Sequence, residues 1–268
     1  ITGATTPIGR ATLEALLADP NVARVLAIGA EPELPFEIEV QDKLTYRRID
    51  LPRARDIRNL LFGEARRLSI DSIIHPALHR SAHDEGDRIR LLNVESTREM
   101  LRLAEEQPTV RRFVLRSFSE VYRVGGREPS VIAEDHPLGL EAATPQRMRD
   151  RIEADLTVCA RMGVSRLSIA VLRCAECLAP SSGSQLYDSL AAPACLRPLG
   201  YDPMLNLLST ADLTLALRLA LHSGEQGVFN IAGRDTLPLS RAIALAGRTE
   251  VPLPGFLLSP LYRLRHHL

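Results

Sequence analysis

The chain has 268 residues, 45% hydrophobic and 25% charged, with a formal net charge of zero. That composition suits a soluble α/β protein of one large domain or one and a half. It excludes several classes. No basic run or aromatic-plus-arginine stripe points to nucleic acid, and no apolar run approaches the roughly 18 residues of a membrane span. The four cysteines are too few for a disulfide scaffold.

In chain order, Ile1-Thr2-Gly3-Ala4-Thr5-Thr6-Pro7-Ile8-Gly9-Arg10 reads as a strand end, a tight turn and the first turn of a helix that runs on through Leu17. Gly3 suits the turn, Gly9 allows close helix–strand packing, and the helix start offers N–H groups to a pyrophosphate. Thr6 stands where phosphates approach the backbone most closely; a left-handed conformation there would cost about 1–2 kcal/mol, and its hydroxyl could offset this by bonding a phosphate. A first strand normally has several residues ahead of its turn, so the polypeptide is expected to continue in front of Ile1. With no signal peptide visible, the expected location is the cytoplasm.

Ala23–Gly29 is a short buried strand. Where a ribose-binding Asp or Glu is often found, it ends in Gly29-Ala30, with Glu31 one place late. Leu44–Ile49 is the next strand, closed by Asp50-Leu51, and a helix follows over residues 53–67. The run Ser69–Ala77 reads as a continuous apolar strand with a polar end, as in a strand covered on both faces. A long helix spans residues 87–106, then strand Arg112–Leu115, a loop-rich stretch over 123–145, a helix over 146–162 and a strand over 165–173. This βαβα rhythm predicts a doubly wound, Rossmann-type parallel sheet over residues 1–173. Residues 174–268 read as a smaller C-terminal lobe packed on it, with a helix near Ala211–Leu221, a strand at Gly227–Gly233 and a helical, proline-rich end. Cys174 and Cys177 have CxxC spacing, open to a redox or zinc reading, but they lie where a buried strand ends. His79 and His83, with Asp84 and Asp87 nearby, have helical metal-ligand spacing in what reads as a solvated loop. No metal is expected.

With these pieces placed, the chain resembles the extended short-chain dehydrogenase/reductases, the NAD-dependent epimerase/dehydratase group, over nearly its whole length. Residues Thr2 to Gly9 are similar to the family's TGATGxxG turn, and Asp50-Leu51 to its adenine-contacting pair. Ile74-His75-Pro76-Ala77 resembles HLAA, and Asn93–Thr97 resembles NVxGT. Arg112 to Tyr122 is similar to RFVxxSSxxVYG, Glu134–Leu138 to EDxPL, and Gly227–Gly233 to GxYNxxG. The resemblance implies NAD or NADP as cofactor, held by Gly3, Thr5, Thr6, Pro7, Ile8, Gly9, Asp50, Leu51, Pro76, Ala77, Leu78, Asn93, Ser117 and Arg149. A small-molecule substrate, and a homodimer or fusion to further domains, go with it.

The family's chemistry uses a Tyr, a Lys four residues later and a Ser or Thr. Free tyrosine titrates near 10 and needs a nearby cation to act at neutral pH. Anchoring on Glu153 puts Pro145 at the Tyr position, Arg149 at the Lys position and Phe118 at the Ser position. Lys43 is the only lysine in the chain, and no tyrosine has a lysine four residues on. No catalytic residue is therefore assigned. The expectation is an atypical NAD(P)-binding member with a binding, regulatory or scaffolding role. The alternative is an active oxidoreductase, epimerase or dehydratase on a nucleotide-sugar-like or carbonyl substrate, using substitutes such as Ser117, Tyr122 or Arg149. Tyr122 otherwise reads as packing or cleft lining, and Glu134 and Asp135 as loop carboxylates.

Overall fold

The structure, a computed structural model, describes residues 1–38, 42–76, 86–125, 128–129, 131–142, 144–180 and 182–256. Strand β1 (Val25–Gly29) is buried at every position and pairs in parallel with β2 (Leu44–Arg48). Strands β3 (Ser72–His75), β4 (Arg112–Phe118) and β5 (Ser168–Cys174) form a second parallel set. Residues 1–4 join the two sets. Ile1 N donates to Leu26 O, Ile28 N to Ile1 O and Ala4 N to Ile28 O, while Thr2 N donates to Ile74 O on the other side. The first strand is thus a short stub between β1 and β3 that runs straight into the glycine turn.

β4 is buried along its whole length, so its run of apolar side chains meets a helix layer on each face, as parallel sheets require. On one face Phe113 and Leu115 pack with Ile57, Met100, Leu103 and Val158. These come from α2 (Ala54–Asn59), α4 (Ser96–Glu106) and α5 (Gln146–Cys159). On the other face Val114 packs with Leu13, Leu213 and Leu217, from α1 (Pro7–Ala18) and α7 (Thr210–Ser223). Ser209 caps the start of α7 through the Asp212 N–H, and Gly224 ends it at φ 70°, a left-handed turn that glycine adopts without Cβ strain.

Two of the expected helices are not regular. α2 continues as a π-helical segment, Leu60–Ala65, and α3 (Asp87–Arg90) reaches α4 through another, Leu91–Glu95, which carries Asn93. Apolar periodicity finds the span of such a helix but not a local change of winding.

Beyond residue 173, β9 (Gly227–Ile231) pairs with β5, and α7 covers the face beside α1, so both serve the main sheet. The remainder forms the smaller lobe around Leu190, Cys195, Ala242 and Ile243. Helices α6 (Gln185–Ala191) and α8 (Leu239–Leu245) lie there. So do strands β6 (Glu176–Cys177), β7 (Ala194–Pro198), β8 (Met204–Leu208), β10 (Asp235–Pro238) and β11 (Thr249–Leu253). The expected helical, proline-rich end therefore holds two strands, and three more precede α7. They are two to five residues long, and Pro198, Pro238 and Pro252 interrupt their alternation, which hides a period of two. Among the described residues no helix is long and apolar enough to cross a membrane.

Candidate functional site

The glycine turn is built as the sequence suggests at Gly3 and Gly9, and differently at Thr6. Gly3 takes φ 63°. A Cβ on Gly9 would stand 2.0 Å from Gly3 O, so only glycine lets α1 approach this closely. Thr6 has φ −81° and ψ 157°, an extended N-cap geometry. The expected left-handed strain is absent, because the turn needs its positive φ at Gly3. The Thr6 hydroxyl donates to Gly3 O at 2.9 Å and accepts from Gly9 N at 3.0 Å. It is an internal cap rather than a free phosphate donor. Pro7, next in line, has no N–H to offer, so the Ile8 N–H is the first amide of this turn that the Thr6 cap does not take.

The end of β1 is closed to a carboxylate. A Cβ on Gly29 would meet Thr5 Cγ2 at 2.5 Å and Tyr46 Oη at 2.6 Å. Tyr46 Oη donates to Glu31 O at 2.7 Å, and burial, then the Glu31 charge, pushes the phenol pKa up.

Next to this strand end lies a cavity of about 520 Å³, walled mainly by Ala30, Ile49, Leu51, Pro52, Ile89 and Leu92, with Asp50, Asp87 and Arg88 also lining it. Its aliphatic walls and position at the carboxyl ends of β1 and β2 suit a flat base. Leu51 is buried, and Asp50 pairs with Arg53 at 3.0 Å. A similar cavity, about 530 Å³ around Ile1, Val25 and Ser72, opens at the opposite ends of the strands, the side on which open parallel sheets do not hold ligands.

Beside β4 the side chains are closely packed. Among Asn93, Thr97, Ser117, Phe118, Arg151 and Asp155 lies a void of only about 10 Å³, about the space of one water. The Phe118 ring lies between two guanidinium groups, 3.9 Å from that of Arg151 and 4.6 Å from that of Arg116. Ser117 Oγ donates to Asp155, a fully buried carboxylate that Arg173 also grips from Nη2 at 2.7 Å and Nε at 3.1 Å. Arg151 bonds Glu120 and donates to Gly183 O at 2.7 Å; burial lowers its pKa to about 10. Burial also works to raise the Glu120 pKa, but Arg151 and Arg147 outweigh it and the net shift is downward. Glu176, hydrogen-bonded by Ser184, shifts upward through burial and then the adjacent Glu120 charge.

The remaining expected residues are distributed as follows. Asn93 is buried in its π-helical segment, and Pro76 is buried at the end of β3. Arg149 is exposed and donates to Gln146 Oε1 at 2.9 Å, one turn back, while Pro145 is exposed at the start of α5. Tyr122 is buried beneath the Arg173 guanidinium and donates to Asn230 Oδ1 at 2.6 Å; burial raises its pKa, which keeps the phenol protonated near neutral pH. Glu134 anchors its loop by accepting from Asn230 N. Cys174 is buried at the end of β5, and burial pushes its thiol up to about 12. Ala77, Leu78, His79, His83 and Asp84 lie outside the described residues. Among the described residues no group of three or more His, Cys, Asp or Glu is placed to hold a metal ion.

Sequence reasoning missed Arg151, Asp155, Arg173, Glu120 and Glu176. A signal existed: Arg147, Arg151 and Asp155 recur at four-residue spacing on α5, a charged stripe on a face that should be apolar if it only packed on the sheet.

Three solved structures share the fold. A dTDP-glucose 4,6-dehydratase from Bacillus anthracis, in complex with NAD, superposes with a TM-score of 0.75 at 18% identity, over 94% of this chain and 83% of that one. A UDP-N-acetylglucosamine 4-epimerase from Methanobrevibacter ruminantium M1, in complex with UDP-N-acetylmuramic acid, gives 0.74 at 16% identity, over 95% and 84%. A short-chain dehydrogenase/reductase superfamily protein from Agrobacterium tumefaciens, with bound NAD, gives 0.69 at 19% identity, over 94% and 84%. The fold is that of the extended short-chain dehydrogenase/reductases. No protein-family model matches the chain. Uncharacterized proteins of Mycobacterium tuberculosis and Mycobacterium bovis are 32% identical over 277 residues, spanning all of this chain and 71% of theirs. The chain belongs to the family of these mycobacterial proteins.

Proposed function

We propose that this chain is a non-catalytic binding member of the extended short-chain dehydrogenase/reductases, which holds a nicotinamide dinucleotide by its adenosine half and serves as a regulatory or scaffolding domain. Dinucleotide binding draws support from the NAD carried by two of the neighbours named above. It draws further support from the Gly3–Gly9 turn and the aliphatic cavity between Ala30 and Leu92. Ile8 N–H and the start of α1 would face the pyrophosphate, while Ile49, Leu51 and Ile89 would flank the base.

A nicotinamide ring, when bound, supplies a hydride donor or acceptor. The observation that carries the non-catalytic reading is the filled space at Phe118. The hydroxyl position of the family's chemistry holds an aromatic ring clamped by Arg116 and Arg151, and only about 10 Å³ remains beside it. The titratable groups nearby are also committed. Ser117 is bonded to Asp155 and Tyr122 to Asn230, and Arg149 cannot move a proton near neutral pH. A cytoplasmic setting, and a homodimer or attachment to further domains, fit a domain that reports nucleotide occupancy.

Thermal-shift titration with NAD⁺, NADP⁺ and their reduced forms tests binding, and nicotinamide absorbance with ketone and nucleotide-sugar substrates tests turnover. Stabilisation without turnover is expected. Turnover that is lost in Ser117→Ala or Tyr122→Phe would overturn the reading in favour of an active enzyme with substitute residues.

A further inference from the structure

We propose that a second recess beside the adenine-sized cavity takes the 2′-phosphate of an NADP-type dinucleotide, so that the chain selects NADP over NAD. The inference rests on the dinucleotide reading above and deepens it. Its starting point is steric. Selecting an unphosphorylated ribose calls for a carboxylate at the end of β1 to accept its hydroxyl hydrogens. At Gly29 the space for the first side-chain carbon is taken by Thr5 and Tyr46, 2.5 and 2.6 Å away. Ala30 follows and has no polar group. Glu31, the next acid, lines neither cavity and lies on the Tyr46 side of the turn.

What stands at that strand end is positive. The register of β1 against β2 sets Arg48 directly beside Gly29. Arg48, Arg53 and Arg88 together line a recess of about 420 Å³. It shares Ala30, Ile49, Asp50 and Arg88 with the aliphatic cavity, so a base in one would put its ribose at the mouth of the other. Two carboxylates, Asp50 and Asp56, also line it. Asp50 is already paired with Arg53 Nε at 3.0 Å, and three guanidinium groups against two carboxylates leave the recess net positive.

The donors have capacity to spare. Each guanidinium carries five N–H groups in a planar fork suited to phosphate. Arg48 commits Nε to Ala30 O at 3.1 Å, which fixes the side chain over the strand end and leaves its two terminal nitrogens. Arg88 makes no ion pair with a described residue and sits on the shared wall of the two cavities. A phosphate monoester, close to doubly charged at neutral pH, gains charge-assisted bonds here, whereas a bare 2′-hydroxyl meets donors and gains little.

Isothermal titration of the purified chain with NADP⁺, NAD⁺, adenosine 2′,5′-bisphosphate and 5′-AMP tests this. NADP⁺ is expected to bind about tenfold tighter than NAD⁺ or better, and the bisphosphate tighter than AMP. In the Arg48→Ala variant, which alters the second recess and leaves the lining of the aliphatic cavity intact, NADP⁺ should lose most of its advantage while NAD⁺ stays unchanged. Should that variant fail to fold, the unaltered chain still answers, since its NADP⁺ advantage should shrink as salt rises. Equal binding of the two dinucleotides, an NAD⁺ preference, or an advantage that survives the Arg48 substitution or high salt would overturn the proposal and leave the dinucleotide reading standing. Binding of neither dinucleotide would overturn the dinucleotide reading, and the preference with it.

Discussion

The two ends of the cleft above this sheet are built from opposite materials. Between Ala30 and Leu92 it is aliphatic, open and about 520 Å³ in volume. Between Asn93 and Asp155 it is packed to about 10 Å³ by an aromatic ring, three arginines and buried carboxylates. Fold and turn are common to both ends, so what differs is the side chains delivered by β4, α5 and the start of the smaller lobe. On the proposed reading, the scaffold keeps one half of a ligand site and fills the other with ion pairs, which separates binding from chemistry at the level of single positions.

The contrast can be broken most severely at Asp155. Its carboxylate is fully buried and bonded by Arg173, Ser117 and Cys159. Asp155→Ala leaves the Arg173 charge buried without its partner, and about 3–5 kcal/mol of stability should be lost in denaturant melts. The expected accompaniment is unchanged adenine-nucleotide affinity in the fraction that folds. Loss of less than about 1 kcal/mol would mean that the ion pairs do not hold the filled end together.

A second, slightly smaller effect concerns His75, buried below the cleft with Nδ1 2.8 Å from Thr2 Oγ1 and Nε2 3.0 Å from Thr97 Oγ1. Burial lowers its pKa from 6.5 to about 4. The unfolded chain therefore binds this proton first as pH falls. Stability is full above about pH 6.5 and declines toward pH 4, by roughly 3 kcal/mol at most. Melts of the unaltered chain and of His75→Gln across that window check the sign: the variant should lose less on acidification.

How far the sequence reached mirrors the same division. Gly3, Gly9 and the apolar strands were legible because each depends on local backbone or on periodicity, both of which a sequence displays. Residues such as Arg173 and Glu176 were not, because their partners lie on other elements; Asp155 meets Arg173 only once α5 has packed on β5. Thr6 was placed correctly and given the wrong conformation, since which residue of a turn takes the positive φ is a choice the whole turn makes. The short proline-interrupted strands of the smaller lobe gave no period to read.

The open end offers a gentler test. Ile89→Trp should fill the aliphatic cavity and weaken adenine-nucleotide binding about tenfold by titration, roughly 1.4 kcal/mol, with the melting temperature nearly constant. The smallest expected effect is at Thr6. Thr6→Ala removes the cap on Gly9 N and should cost about 1 kcal/mol. Because it also frees that N–H, anion affinity at the turn should hold or rise slightly, which a sulfate titration would register.

The stub of residues 1–4 gives this arrangement a dynamic side. The main chains of the two parallel sets of strands are joined across it, through the amides of Thr2, Ala4 and Ile28 and the nitrogen of Ile1, and it leads without a break into the turn that would face a pyrophosphate. Opening the sheet at this seam and dissolving the turn are thus one cooperative event. A nucleotide bound at the turn should slow hydrogen exchange at these three amides well away from any contact with it, so that occupancy of the open end is reported along the middle of the sheet.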